Sequence, residues 1–167
     1  MNKEFNKYET LNFYPLSQNK KRYSEGGLRI NSEFKKSLPN EPLITIITVV
    51  LNGEKHLQET IDSIKNQTYK NYEFVVIDGG STDKTLEIIK NNSNMIDYWV
   101  SEKDEGLYDA FNKGLNLARG DYIGIINSDD TYENDALHIL SKYIAKNTNI
   151  DFIFGSVKKH WGILHGY

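Results

Sequence analysis

Two neighbouring carboxylates, Asp129 and Asp130, stand in the run Asn127-Ser128-Asp129-Asp130, directly after the apolar stretch Tyr122–Ile126. At the mouth of a buried strand such a pair repels itself and loses solvation. A hard cation removes that cost, and oxygen ligands favour Mg²⁺ or Mn²⁺. Mg²⁺ commonly takes one or two carboxylates and completes its shell with waters and substrate phosphates, so a two-acid site suits a nucleoside diphosphate. The alternative is an acidic turn capping a helix that starts near Glu133, with Asp130 or Thr131 as the cap. The position at a strand end favours the metal.

A third acid, Asp78, closes another apolar run just ahead of Gly79-Gly80. A carboxylate there can accept bonds from a base or from ribose hydroxyls, and the glycines permit close backbone approach. The competing reading is a turn in which Asp78 bonds its own backbone. The acidic loop Ser101-Glu102-Lys103-Asp104-Glu105-Gly106 leads into Tyr108, Asp109, Asn112 and Lys113 at helical spacing. Asp109, Asn112 and Lys113 can therefore aim polar groups at a substrate or its phosphates; for Lys113 alone a solvated helical face is the simpler reading. The histidines at 56, 138, 160 and 165 have no ligand spacing. A Gly-x-Ser-x-Gly elbow and a phosphate loop ending in Gly-Lys-Ser/Thr are both missing.

These groups need elements to position them. Leu43–Leu51 is β-branched and almost continuously apolar, as expected of a strand covered on both faces. A helix pattern follows from Glu54 to about Gln67, with Leu57, Ile61 and Ile64 on one face. Tyr72–Ile77 predicts a second buried strand, and Ser81-Thr82-Asp83 starts a helix through Leu86, Ile88 and Ile89. Asp97–Ser101 is expected as a strand, Leu107–Ala118 as a helix, and Asp121–Ile126 as a strand. Glu133–Lys146 follows as a helix with Ala136, Leu137, Leu140 and Ile144 inward, and Asp151–Val157 as a further strand. Alternating strands and helices predict an α/β fold, a mostly parallel sheet flanked by helices. Ligands of such sheets bind beyond the carboxyl ends of the strands, where Asn52-Gly53-Glu54, Asp78–Ser81 and Asn127–Asp130 collect.

The chain has 167 residues, 38% hydrophobic and 26% charged, with no cysteine. That composition argues against disorder and excludes a disulfide scaffold, a thiol nucleophile and Cys-ligated metal. The longest apolar stretch falls far short of the ~20 residues that span a bilayer, and the polar start lacks a signal-peptide core. A soluble, cytoplasmic protein is expected, at most peripheral to the inner membrane, with no transmembrane segment and no nucleic-acid partner. Residues 1–40 hold eight Lys+Arg and four Glu, net +4; the remainder holds 12 basic and 19 acidic residues, net -7. Residues 1–41 are read as an N-terminal extension with little structure of its own, and 42–167 as the domain. Lys20-Lys21-Arg22 within it is read as a solvated arm, since lipid-recognition clusters hold roughly 4–8 basic residues.

The stretch ITIITVVLNGEKHLQETIDSIKNQTYKNYEFVVIDGGSTDKT, followed by WVSEKDEGLYDAFNKGLNLARGDYIGIINSDD, resembles the family 2 glycosyltransferases with a GT-A fold, in particular bacterial members that build surface polysaccharides. The resemblance runs from about Pro42 to Phe154. It implies a Rossmann-like half that binds a nucleoside-diphosphate sugar, typically a UDP-sugar, and transfers the sugar with inversion to the hydroxyl of a saccharide or lipid-linked acceptor. Val49, Val50, Leu51 and Asn52 with Glu54 match the segment lining the base, and Asp78 the acid that reads it. Asp129 and Asp130 match the family's DxD variant, touching ribose and metal, with Asp130 as the main ligand of Mn²⁺ or Mg²⁺. Asn112-Lys113-Gly114 matches a segment flanking the donor pocket.

Leu51 stands where many members have an aromatic, Gly79 replaces the second acid of Asp-Asp-Gly-Ser, and Asn127 replaces the first acid of a longer metal motif. Family members also continue well past that motif, so the acceptor part is expected to be missing, and none of Glu133, Asp135 and Asp151 is marked as the catalytic base. The alternative is a donor-binding module without turnover. A sugar-phosphate nucleotidyltransferase would need a Gly-rich basic loop after the first strand, and a dinucleotide-binding domain a Gly-x-Gly-x-x-Gly; neither is present. Phe152, Phe154, Trp161, Ile163 and Leu164, or a bare sheet edge, predict self-association into a homo-oligomer.

Overall fold

The computed structural model describes residues 10–15, 21–147 and 151–156. Two seven-residue strands, β2 (Ile44–Val50) and β3 (Tyr72–Asp78), are buried from end to end, as their continuous apolarity requires. With β1 (Arg22–Gly26), β4 (Tyr98–Glu102) and β5 (Tyr122–Ile125) they form one five-stranded sheet in the order β1-β4-β3-β2-β5. β2 to β5 run parallel, in a register from Ile44↔Tyr72 to Val50↔Asp78 across β2 and β3; β1 is antiparallel to β4. Four helices connect or follow the parallel strands: α1 (Leu57–Lys65), α2 (Thr85–Asn91), α3 (Leu107–Leu117) and α4 (Ala136–Lys146).

The pleat divides the core. Ile44, Ile46 and Val50 of β2 and Phe74 and Val76 of β3 pack with Leu57, Ile61 and Ile64 of α1, Ile89 of α2 and Leu137 of α4. On the opposite face Ile47, Val49, Val75 and Ile77 meet Ala110 and Leu117 of α3, with Leu11 and Tyr14 against them. Crossover handedness explains the split. The chain steps from β2 to β3 to β4 in one direction, then returns past β2 to β5, so right-handed connections place α3 on the other side. A side chain at Gly114 would put its Cβ 2.5 Å from Ile47 Cγ2, so glycine is what lets α3 seat on β2. The reversal opens a crevice between the carboxyl ends of β2 and β5, the topological switch point.

Helix and strand positions agree with expectation to within a few residues. α1 begins at Leu57 rather than Glu54 because Gly53–His56 form a turn, with Leu57 N–H donating to Gly53 O at 3.0 Å. α4 begins at Ala136 rather than Glu133. The strand expected at Asp151–Val157 is not formed over 151–156: these residues lie outside regular structure and expose Phe152 and Phe154, and no strand among the described residues completes a ladder with them. Val157, Trp161, Ile163 and Leu164 lie outside the described residues. No helix among the described residues is long and apolar enough to cross a membrane.

The leader differs most from expectation. Its lack of apolar period predicted little structure, yet tertiary pairing orders residues 22–31: Arg22–Gly26 adds an edge strand and Leu28–Asn31 a 3-10 turn. Arg22 is no solvated arm, since its guanidinium donates to Glu102, Glu25 and the Tyr14 carbonyl. Arg29 is fully buried and meets Glu73 of β3 at 2.8 Å, while the same nitrogen donates to Leu117 O at the end of α3. Glu73 also accepts from Thr45 Oγ1 and Arg119 N, both at 2.6 Å.

Arg29→Met should therefore strand the Glu73 carboxylate and destabilise the fold by about 3–5 kcal/mol in chemical denaturation; a loss below about 1 kcal/mol would contradict the pairing. Tyr69 donates to Pro42 O at 2.6 Å, and burial, with Glu41 and Asp121 nearby, pushes its phenol up to about 12. A raised folded pKa favours the neutral phenol, so its contribution is intact below about pH 10 and is lost as pH rises through 12. Tyr69→Phe should flatten that alkaline decline, read as unfolding free energy against pH.

Candidate functional site

A cavity of about 370 Å³ occupies the switch-point crevice. Val49, Val50 and Leu51, at the end of β2, form one wall, and Asn127, Ser128 and Asp129, after β5, another. Gly79 lines it after β3, and Asp104, Gly106, Leu107 and Ala110 close the side formed by the β4–α3 loop and the first turn of α3. The parallel strands put every one of these segments at the same end of the sheet.

Among the residues expected from sequence, Val49, Val50, Leu51 and Asp129 line this space directly, and Leu51 is exposed. Asp130 is exposed next to it, with one carboxylate oxygen accepting from Asn127 Nδ2 at 3.2 Å. The pair does not cap α4, whose flanking residue is Asp135. Among the described residues no three His, Asp or Glu side chains gather as a ready cation cage. Two solvent-facing carboxylates beside a cavity nonetheless fit Mg²⁺ or Mn²⁺, which would complete its shell with water and phosphate oxygens.

Asn52 and Glu54 bond the neighbouring loop. Asn52 adopts a left-handed backbone (φ 54°), tolerated by asparagine, and its Oδ1 accepts from Thr82 N at 2.9 Å. Glu54 accepts from Lys84 N at 3.0 Å. In return Asn52, Gly53 and Glu54 donate their backbone N–H groups to Ser81 Oγ, Thr85 Oγ1 and Asp83 Oδ2. The two loops are thus clasped reciprocally. Partial burial pushes the Asp83 carboxyl up, but its hydrogen bonds from Thr85 and Glu54 N–H outweigh that and hold it below the usual range. Asp78 is completely buried; Ser81 and Ser101 hydroxyls donate to it at 2.5 Å, and Ser81 N–H at 3.2 Å. It closes the turn that presents Gly79. Asn112 is exposed on α3, away from the cavity lining.

Lys113 corrects the simpler reading of its helix. It is not solvated but fully buried, because α3 turns that face onto the end of β4. Its ammonium lies 3.0 Å from Glu102 Oε1 and 3.6 Å from Asp109, and it bonds Asp104. Burial would lower this ammonium, but Asp104 and Glu102 outweigh it and raise the pKa. Asp104 is the residue that sequence reasoning left unassigned. Its Oδ1 bonds Lys113, and its Oδ2 lies 2.8 Å from where a side chain on Gly79 would begin. Burial raises its pKa, with Lys113 opposing and Asp109 and Glu102 adding to the rise. The signal was present: an acid in a Gly-closed loop, with a lysine one helical stretch later.

Lys113→Met should leave Asp104 without its cation and Glu102 with Arg22 alone, destabilising the chain by about 3–5 kcal/mol in urea titration. A variant as stable as the wild type would show that the carboxylates are neutralised otherwise.

Residues 45–165 match the family model described as Glycosyl transferase family 2. Curated relatives agree. An uncharacterized glycosyltransferase of Haemophilus influenzae is 40% identical over 111 residues, 65% of this chain and 44% of the relative. A PGL/p-HBAD biosynthesis glycosyltransferase of Mycobacterium bovis is 36% identical over 120 residues, 70% of this chain and 47% of the relative. The chain therefore spans less than half the length of these relatives. Among solved structures, S. aureus TarS 1-349 in complex with UDP-GlcNAc superposes with a TM-score of 0.57 at 26% identity, covering 62% of this chain and 31% of that one. The GT-A architecture expected from the sequence is thus the one observed, and with a family match that covers well over half of its residues this chain belongs to glycosyl transferase family 2.

Proposed function

We propose that the cavity at the switch point holds a UDP-sugar together with Mn²⁺ or Mg²⁺, and that the chain provides the donor side of an inverting transfer to an acceptor hydroxyl. The observation that carries this reading is Asp129 at the lip of a cavity that Val49–Leu51, Gly79 and Asp104 also line. S. aureus TarS, with which the fold superposes, has been crystallised in complex with UDP-GlcNAc. Saccharide or lipid-linked acceptors in bacterial polysaccharide synthesis are the corresponding acceptor class.

In this reading Asp129 and Asp130 hold the cation, the family's DxD role. A cation bound there supplies positive charge against the diphosphate as it departs. The chain's own groups position the donor. The Gly79 backbone lets it approach closely, and Asp104, held by Lys113, can accept from a donor hydroxyl. The clasped loops Asn52–Glu54 and Ser81–Thr85 fix the wall beside it. In the transfer, the acceptor oxygen bonds to the anomeric carbon as the bond to the diphosphate oxygen breaks. The acceptor proton passes to a base within hydrogen-bond reach. No residue of this chain is assigned as that base.

Calorimetric titration with UDP, with and without Mn²⁺, should show metal-enhanced binding that Asp129→Asn and Asp130→Asn each weaken at least about tenfold. Undiminished binding by both variants would defeat the assignment. A parallel assay of UDP-GlcNAc consumption separates an active transferase from a donor-binding module, which would bind without turnover.

A further inference from the structure

Pairing of β1 with β4 is out of step at one place. Arg22 stands opposite Glu102 and Ser24 opposite Ser101, so two steps on β1 match a single step on β4. Tyr23 is the extra residue of this bulge. Bulges re-aim a side chain and recur beside active sites. Here Arg22 is tied to Glu102 at 3.1 Å and to Tyr14 O at 2.6 Å, which fixes the irregularity in place.

The re-aimed ring comes to rest on Gly80. A side chain there would put its Cβ 2.8 Å from Tyr23 Cε2 and displace the ring, and the backbone is left-handed (φ 87°), which favours glycine. Gly80 and Lys103 each stand one residue before or after a cavity-lining residue, Gly79 and Asp104. A Cβ on Gly79 would lie 3.6 Å from Leu51 Cδ1. The Gly79-Gly80 turn is thereby flanked by Asp104 and Leu51 at Gly79 and by the Tyr23 ring at Gly80, with Leu51 and Tyr23 each more than half exposed. An exposed phenol ring and an exposed aliphatic side chain on either side of a glycine turn accommodate a planar heterocycle, whose faces gain from contact with an aromatic.

We propose that Tyr23 is a donor-binding residue that packs against the nucleobase of the donor nucleotide. The proposal rests on the nucleotide-sugar reading above and names the group that meets the base. The leader, through its bulge, thus completes the base end of the site, while Asp129 and Asp130 serve the phosphate end.

Titrations of the 167-residue chain with UDP and with inorganic pyrophosphate, both with Mn²⁺, test this on wild type, Tyr23→Ala, Tyr23→Leu and Tyr23→Phe. Base–aromatic packing predicts a loss of UDP affinity on the order of tenfold for the Ala and Leu variants, retention by Phe, and unchanged pyrophosphate binding by all. Equal UDP affinity for wild type and Tyr23→Ala would overturn the proposal. So would an equal loss for pyrophosphate, which would mark Tyr23 as a structural support. Wild type that binds pyrophosphate or neither ligand, but not UDP, would overturn the nucleotide reading itself.

Discussion

Glu73 and Glu102 lie on strands covered from both faces, where a carboxylate without a partner costs several kcal/mol. Each is neutralised by a cation from another part of the chain: Glu73 by Arg29 of the leader, Glu102 by Lys113 of α3 and Arg22 of β1. This constraint ties the segments together. The leader cannot leave the sheet without exposing one acid and orphaning the other, and α3 cannot slide along β2 without drawing Lys113 away from Glu102. Such pairs contribute little net stability compared with apolar packing. They fix which segments sit where.

The two acids stand at opposite ends of the sheet, and their consequences differ accordingly. Glu73, with Thr45, Arg119 and Gly120, organises the amino ends of the central strands, where Thr45 Oγ1 also accepts from Gly120 N. That end is scaffold. Glu102 lies at the carboxyl end, and its partner Lys113 also holds Asp104 beside Gly79. Charge neutralisation there doubles as placement of a cavity wall. Asp78 follows the same logic with neutral donors: Ser81 and Ser101 satisfy it completely, and the turn they close presents bare backbone to the cavity.

The loops of the site are held by side chain to backbone bonds rather than by regular structure. The reciprocal clasp between Asn52–Glu54 and Ser81–Thr85 gives two exposed loops fixed relative positions. By contrast Asp129 and Asp130 stay open to solvent, and Asn127 donates a neutral hydrogen bond to the Asp130 carboxylate. Rigid walls beside open carboxylates suit a ligand that brings its own counter-charge.

Much of this was legible in the order of residues. Continuous β-branched runs at Leu43–Leu51 and Tyr72–Ile77 announced doubly covered parallel strands, because only strands buried on both faces lack polar alternation. The positions of Asn52–Glu54, Gly79 and Asn127–Asp130 at the ends of such runs located the crevice, since parallel strands carry all their carboxyl ends to one edge. Local pattern could not tell which polar side chains at that edge face the cavity and which brace the loops: Asp129 does the former, and Asn52, Glu54 and Asp78 the latter. Nor could it assign order to a leader without apolar period, whose structure comes from long-range partners on β3 and β4 and from the last turn of α3. Residue order therefore settled the layers and the end of the sheet at which the cavity lies; only the folded chain, by forcing buried acids to find distant cations, decided how that cavity is walled.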